Sequence, residues 1–571
     1  MQTLALRAPQ RLWLSALACA GVIIAIAVMH AAFWMLNPSM TAGNNGNDLI
    51  FLADGARHMA AGQWLHADIS LPTGVLPYVL YWLAGVMLPA MPAFMAMHLP
   101  AFLLIAPLLI AGAVHLPTWW MRLCLIGAVS IIALLPFNTA GIGFCGTDMH
   151  ASYNRFGAAL SLAYLAWIYR AGNRPWLDSS LLAWAILLAF SLKIVYLAVI
   201  FAPLAVFVLF DARWRRIALQ ALLVVLIVLA AIQATTGEIG AYLSDIRAMS
   251  AVNGGRAIYF VFSFIYKFVF ELALAAGLIV ALLAHIWVRR PETSNWRQSL
   301  AAVAQPLAMA AGLLGIVIAE SQSTGGMGVS AALALLIVPA LWTAMPSRTL
   351  TILTVAFTAF VGGTLVVNAF EKGMCNLLQR QGQAAQYDWA ERFVPHLRVP
   401  EAAATAAASM VTVWENRTPA QQSALENTLA FPDDISAMLY LAQWISVDHA
   451  IRALEANGEI GDLGRTTTLA FVDFFGFALN AMPAKNMKNV IDIGRTMALP
   501  DDAGASAYLE NVDTVFVPAC GLGETAKRDQ DSLWLSQAYA RTLAANFTST
   551  PLTTCWTMYR RKTNQSSAAG K

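Results

Sequence analysis

With 571 residues of which 59% are hydrophobic and only 12% charged, and a mean hydropathy of +0.62, the chain has about half the charge density of a soluble globular protein and is not one. The net charge of +3 carries no nucleic-acid signature, because the basic clusters at Arg213, Arg215 and Arg216 and at Arg560, Arg561 and Lys562 flank apolar segments. Residues 1–370 hold 11 of the 32 acidic and 18 of the 35 basic side chains, leaving 21 and 17 for residues 371–571. A membrane domain over 1–370 and a water-soluble domain over 371–571 are therefore predicted.

From the N-terminus, Arg7 and Arg11 precede an apolar run, Leu12 to Leu36, that is too long for a cleaved signal and reads as a first span with Cys19 buried inside it. Further apolar runs fall near 74–91, 95–115, 122–137, 156–169, 181–210, 217–233, 257–288, 299–319, 329–345 and 350–370. The fold class expected is an all-α polytopic membrane domain of 11 to 13 spans followed by a small soluble α/β domain. The run 181–210 carries Lys193 in its middle, and two short helices meeting there fit the charges on either side. Twelve arginines fall on one side of this layout (Arg7, Arg11, Arg122, Arg170, Arg174, Arg213, Arg215, Arg216, Arg289, Arg290, Arg297 and Arg348) against Arg57, Arg155, Arg247 and Arg256 on the other. The positive-inside rule then puts the N-terminus in the cytoplasm and loops 37–73, 138–155, 234–256 and 320–328 outside, together with the tail.

In the tail, Thr467–Phe477, Val512–Pro518 and Leu552–Arg560 read as strands, with helices at Leu533–Phe547 and ending near Ala507–Asn511. An oxidising compartment permits a disulfide between Cys520 and Cys555, with Cys375 and Cys145 as alternative partners.

The first outer loop is the richest segment. Leu49, Leu52, Ala53, Ala56 and Met59 share one face of a helix and Asp54, Arg57 and His58 another, which predicts an amphipathic helix lying along the membrane surface. Asp54 is placed to pair with Arg57 and His58. Asp48, at the helix start, is either an N-cap or a functional carboxylate. The loop continues through Gly62-Gln-Trp64, His66 and Asp68 to Pro77-Tyr78. Lys193 and Lys267 are the only lysines before residue 371, and each interrupts an apolar run. Such a charge is either functional or snorkels to the interface, and Lys267 has Glu271 one turn on as a partner.

Asp48, Ala56-Arg57-His58-Met59, Gly62-Gln63-Trp64 and Pro77-Tyr78 resemble, in order and spacing, the first outer loop of the GT-C membrane glycosyltransferases. The nearest likenesses are the lipid A aminoarabinose transferases and the protein O-mannosyltransferases. Leu49 stands where those families commonly have a second acid, and Leu71-Pro72-Thr73-Gly74 replaces their Lys-Pro-Pro. The resemblance implies a bacterial inner-membrane enzyme with a periplasmic tail. It would move a sugar from a polyprenyl-phosphate donor to a saccharide, lipid or protein acceptor. Asp48 would be the general base, with Asp148 a second carboxylate or simply a partner of Arg155. Lys193, Arg57, Arg256, Arg155, His66 and Tyr78 would bind substrate. No cofactor is implied, and His58, His66, Asp68, Asp148 and His150 lack the tight spacing of a metal site. A transporter or flippase of lipid-linked cell-envelope saccharides, or a ligase using them, is the competing reading, although no internal repeat is visible. A topology reporter fused after Lys571 is expected to be active only outside the cytoplasm, and cytoplasmic activity would overturn both the orientation and outer-face chemistry.

Overall fold

The computed structural model describes residues 9–43, 45–137, 146–149, 151–169, 174–288, 296–322, 363, 365–378, 384–416, 440–520 and 526–562. Cys145, His150, Arg7, Arg170, Arg289, Arg290, Arg348, the run 329–345 and most of 350–370 lie outside the described residues. Among those described, six helices are long and apolar enough to cross a membrane: Leu12–Leu36, Ala93–Ala113, Pro175–Leu192, Ala212–Thr236, Val269–Val288 and Val303–Ser321. Shorter apolar helices occupy Leu76–Met87, Trp119–Leu134, Ile194–Phe210 and Ala257–Lys267. Bare Leu17, Ile24, Val28, Leu226, Phe262 and Phe270 give these helices the apolar outer face that hydrocarbon requires. The chain is a multi-pass helical membrane protein with a small α/β unit in its tail.

The helix Ser152–Ile168 is buried at every residue and packs on His98–Ala113 and Trp119–Leu134, as a helix apolar on nearly all sides must. Next to it, the apolar run 181–210 is indeed two helices. Pro175–Leu192 ends where Lys193 turns extended (φ −169°, ψ 122°), and a single 3-10 turn, Ile194–Tyr196, leads into Leu197–Phe210. A helix end leaves carbonyls unpaired. Here the Leu192 carbonyl accepts the Gly74 N–H at 3.0 Å. That approach needs glycine, since a Cβ on Gly74 would overlap the Ser191 carbonyl.

Ten strands follow in chain order: β1 Met40–Thr41, β2 Ile69–Ser70, β3 Ala384–Gln386, β4 Leu397–Pro400, β5 Arg465–Thr468, β6 Met482–Pro483, β7 Met487–Lys488, β8 Thr514–Pro518, β9 Phe547–Pro551 and β10 Trp556–Arg561. The main sheet has the order β6-β5-β8-β10-β9, parallel across β6-β5-β8 and antiparallel across β8-β10-β9. The helices Asp502–Leu509 and Ala526–Asn546 pack against each other beside it. Two strand expectations need correction. Thr467–Phe477 is a strand only to Thr468, because Asp473 accepts the Gly476 N–H at 3.1 Å and caps a helix, Phe474–Ala478. Leu552–Cys555 is the hairpin turn before β10, and its partner β9 begins where the helix expected to run to Phe547 has ended. Cys520 and Cys555 form the expected disulfide.

The loop 37–73 is built into the tail. β1 pairs with β4, and β2 with β7, both in parallel. The loop helix Gly46–Ala60 is buried on both its apolar and its polar faces, which corrects the surface-lying helix expected from its amphipathicity. Its polar face is covered by tail groups, not by water or lipid headgroups. Arg57 Nη2 lies 2.6 Å from Asp54 and 2.7 Å from Asp473, and Nη1 donates to the Ala481 carbonyl at 2.7 Å. Asn489 donates to the Phe51 carbonyl at 2.9 Å and to Asp54 at 3.1 Å. Removing one member of a buried ion pair costs about 3–5 kcal/mol. Arg57→Ala is therefore expected to lower the melting temperature of the detergent-solubilised chain and to open the loop to proteolysis. An unchanged melting point and cleavage pattern would show that the loop and tail are held by other contacts.

Candidate active site

Asn45, in the left-handed region at φ 51°, occupies the cap position of the loop helix, so Asp48 is not its cap. Asp48 sits half-buried in the first turn, and its Oδ2 accepts the Ala151 N–H at 2.8 Å. Ala151 precedes the helix Ser152–Ile168, so the carboxylate lies at the positive end of that helix as well as in the first turn of its own. The strands of chain that carry Asp48 and Asp148 run backbone to backbone. Thr147 N–H donates to the Thr41 carbonyl at 2.9 Å, and a Cβ on Gly43 or Gly146 would overlap the other strand.

Lys193 converges on the same helix start. Its Nζ donates to the Gln322 carbonyl at 3.1 Å and to Asn154 Oδ1 at 3.4 Å, and lies 5.5 Å from the centre of the Tyr153 ring. Tyr196 ties this corner together through the Asn154 carbonyl at 3.0 Å and the buried Glu320 at 3.2 Å. From the tail, the charge of Arg495 acts on both Lys193 and Tyr153. The Arg256 guanidinium lies beside the backbone of Gly494, next to Arg495 in sequence. Asp48 and Lys193 thus meet at residues 151–154, from the first loop and a broken helix, with Arg495 of the tail close enough for its charge to act there and Arg256 beside Gly494. A carboxylate can take a proton there while the cations hold an anion.

The other candidates do not join this group. Arg57 is held between Asp54 and Asp473. Burial works against its charge, but the two carboxylates outweigh it and raise the guanidinium above its ordinary value. Burial raises Asp473 and lowers His58, whose Nδ1 lies 2.6 Å from Gln63 Oε1. Tyr78 is fully buried, packs on Gly55 and hydrogen-bonds Asn489 at 3.3 Å and Thr73 at 3.4 Å. Arg155 donates to the carbonyls of Leu135 at 3.3 Å and Asp148 at 3.1 Å and lies 3.2 Å from His98 Nε2, while Asp148 itself is buried. His66 pairs with Asp245 at 2.7 Å. Among the described residues no group of three or more His, Cys, Asp or Glu side chains is arranged to hold a metal ion.

Sequence reasoning missed Arg495, Glu320, Asp473 and Asn489. Arg495 follows Gly494, which has φ 78°, but nothing in the sequence around it marks it out from any exposed turn. Glu320, the last acid before a polar segment in an apolar helix, was the one legible signal.

No family model matches the sequence, and no curated protein matches it. Among solved structures, the chain is similar to the crystal structure of ArnT from Cupriavidus metallidurans bound to undecaprenyl phosphate, with a TM-score of 0.45 and 12% identity over 95% of this chain and 98% of that one.

Charge-assisted hydrogen bonds contribute about 1.5–3 kcal/mol each. Arg495→Ala and Lys193→Ala are each expected to weaken binding of a long-chain alkyl monophosphate at least about tenfold in a titration calorimeter. Affinities within twofold of the parent would mean that these cations do not form an anion site.

Proposed function

We propose that this chain is a membrane glycosyltransferase that moves a sugar from a polyprenyl-phosphate donor to an acceptor on the outer, periplasmic face of the bacterial inner membrane. The observation that carries this reading is the approach of Asp48 and Lys193 to one helix start, with Arg495 and Arg256 beside it. The GT-C-like spacing of the first loop and the disulfide between Cys520 and Cys555 support the same reading, the latter because such bonds persist outside the cytoplasm.

In this scheme the acceptor hydroxyl gives its proton to Asp48 as its oxygen attacks the anomeric carbon. The new glycosidic C–O bond forms as the bond from that carbon to the phosphate oxygen breaks. The electron pair leaves with the lipid phosphate, whose added charge is met by Lys193, Arg256 and Arg495. Asp148, on the neighbouring strand, is the second carboxylate to test. The acceptor would be a saccharide, a lipid or a protein hydroxyl, and the transferred sugar a hexose or pentose derivative.

Asp48→Asn separates this role from a structural one. The asparagine side chain can still accept the Ala151 N–H through its oxygen, so the local fold is kept. It cannot take a proton, and loss of a general base costs about 10²- to 10⁴-fold in rate. With a radiolabelled polyprenyl-phosphate sugar, transfer should fall by that factor while donor binding stays within a few-fold of the parent. Asp148→Asn, run in parallel, should have the smaller effect. Parental turnover in Asp48→Asn would remove Asp48 from the chemistry.

A further inference from the structure

We infer that His66 and Asp245 form a positioning pair that holds Arg256 at the anion site, an inference that rests on the reading of that site given above. Arg256 reaches the site at the end of the helix Glu238–Asn253, and that helix is lightly held. Tyr242 is its one buried residue. It is entered through Gly237, at φ 74°, and left through Gly254 and Gly255, so neither end is braced by stiff backbone.

Two of its ties to the rest of the chain, through Asp245 and Tyr242, meet at His66. The imidazole Nδ1 lies 2.7 Å from Asp245 Oδ2, and because a carboxylate only accepts, Nδ1 carries the proton. The same oxygen accepts the Leu71 N–H at 3.3 Å. The imidazole lies against Tyr242 with ring centres 4.5 Å apart. The Tyr242 hydroxyl accepts the Ile194 N–H at 3.2 Å, one residue from Lys193, and donates to the Phe190 carbonyl at 3.3 Å. Tyr242 thus ties the arm bearing Arg256 to the helix break bearing Lys193, and His66 braces that arm by bonding Asp245 and packing on Tyr242.

Two features mark His66 as held for a purpose. Its backbone is left-handed at φ 64°, a region that L side chains rarely adopt, and its Nε2 is buried with no hydrogen-bond partner among the described residues. A histidine kept under those conditions is constrained by what its other nitrogen does.

The full-length protein in lipid nanodiscs, titrated with a polyprenyl monophosphate, tests the pair. Arg256→Ala is expected to weaken binding about tenfold, and His66→Ala and Asp245→Ala by a similar factor. The double variant His66→Ala/Arg256→Ala should bind no more weakly than Arg256→Ala alone, since both act through one guanidinium. His66→Asn, whose amide N–H falls where Nδ1 stood, should restore affinity to within about twofold of the parent, and a general loss of structure would not be rescued in this way. Additive losses in the double variant, a parental affinity in His66→Ala, or failure of His66→Asn to rescue would overturn the pair. If the parent itself binds no phosphate lipid, the anion site fails and the inference falls with it. If Arg256→Ala weakens binding and His66→Ala does not, the site stands and only the positioning role is lost.

Discussion

A single guanidinium, Arg57, lies between two carboxylates from distant parts of the chain: Asp54 is three residues away on the same helix, and Asp473 is 416 residues on, in the tail. The seating of the loop helix against the tail depends on this clasp. The energetic case for a buried ion pair over an apolar contact of equal volume is weak, because desolvation offsets most of the attraction. The case for register is stronger. An apolar seam would tolerate the loop helix sliding or turning, whereas Arg57 satisfies Asp54, Asp473 and the Ala481 carbonyl in one orientation only. With that orientation set, Asp48 is carried to Ala151, since it lies in the first turn of the same helix.

The helix Ser152–Ile168 is the platform on which these pieces meet. Its first residues are reached by Asp48 from one side and Lys193 from another, and the tail adds Arg495. A buried helix is stiff because its interior is close-packed. Groups bonded to its first turn are therefore held without reorganisation, which is what electrostatic stabilisation of a leaving anion requires. The remaining cation, Arg256, comes on a more exposed arm, so the site combines fixed charges with one whose placement depends on a separate latch.

How much of this could be read in the sequence depends on the range of the interaction. The helix break at Lys193 was legible because a lysine in a 30-residue apolar run leaves few alternatives, and the pairing of Asp54 with Arg57 follows from helical spacing. The strand at Thr467–Phe477 was misread because β-branched and aromatic residues fit a strand until Asp473 captures the Gly476 N–H and turns the chain. Arg57 and Tyr78, expected among the substrate ligands, also make long-range contacts that no local pattern displays. The groups they bond, Asp473 and Asn489, are more than 400 residues away. The same distance hid Arg495.

The loop's entry into its second helix ties the loop to the helix break at Lys193. The chain enters that helix through Leu71-Pro72-Thr73-Gly74. Gly74 lets the backbone come close enough to cap the Leu192 carbonyl, directly before the break that exposes Lys193. Seen this way, the glycine and the lysine are two halves of one device. Lengthening the side chain at 74 would push the loop off the helix end and separate Asp48 from the charges it faces, even though Asp48, Lys193 and their immediate hydrogen bonds were left untouched.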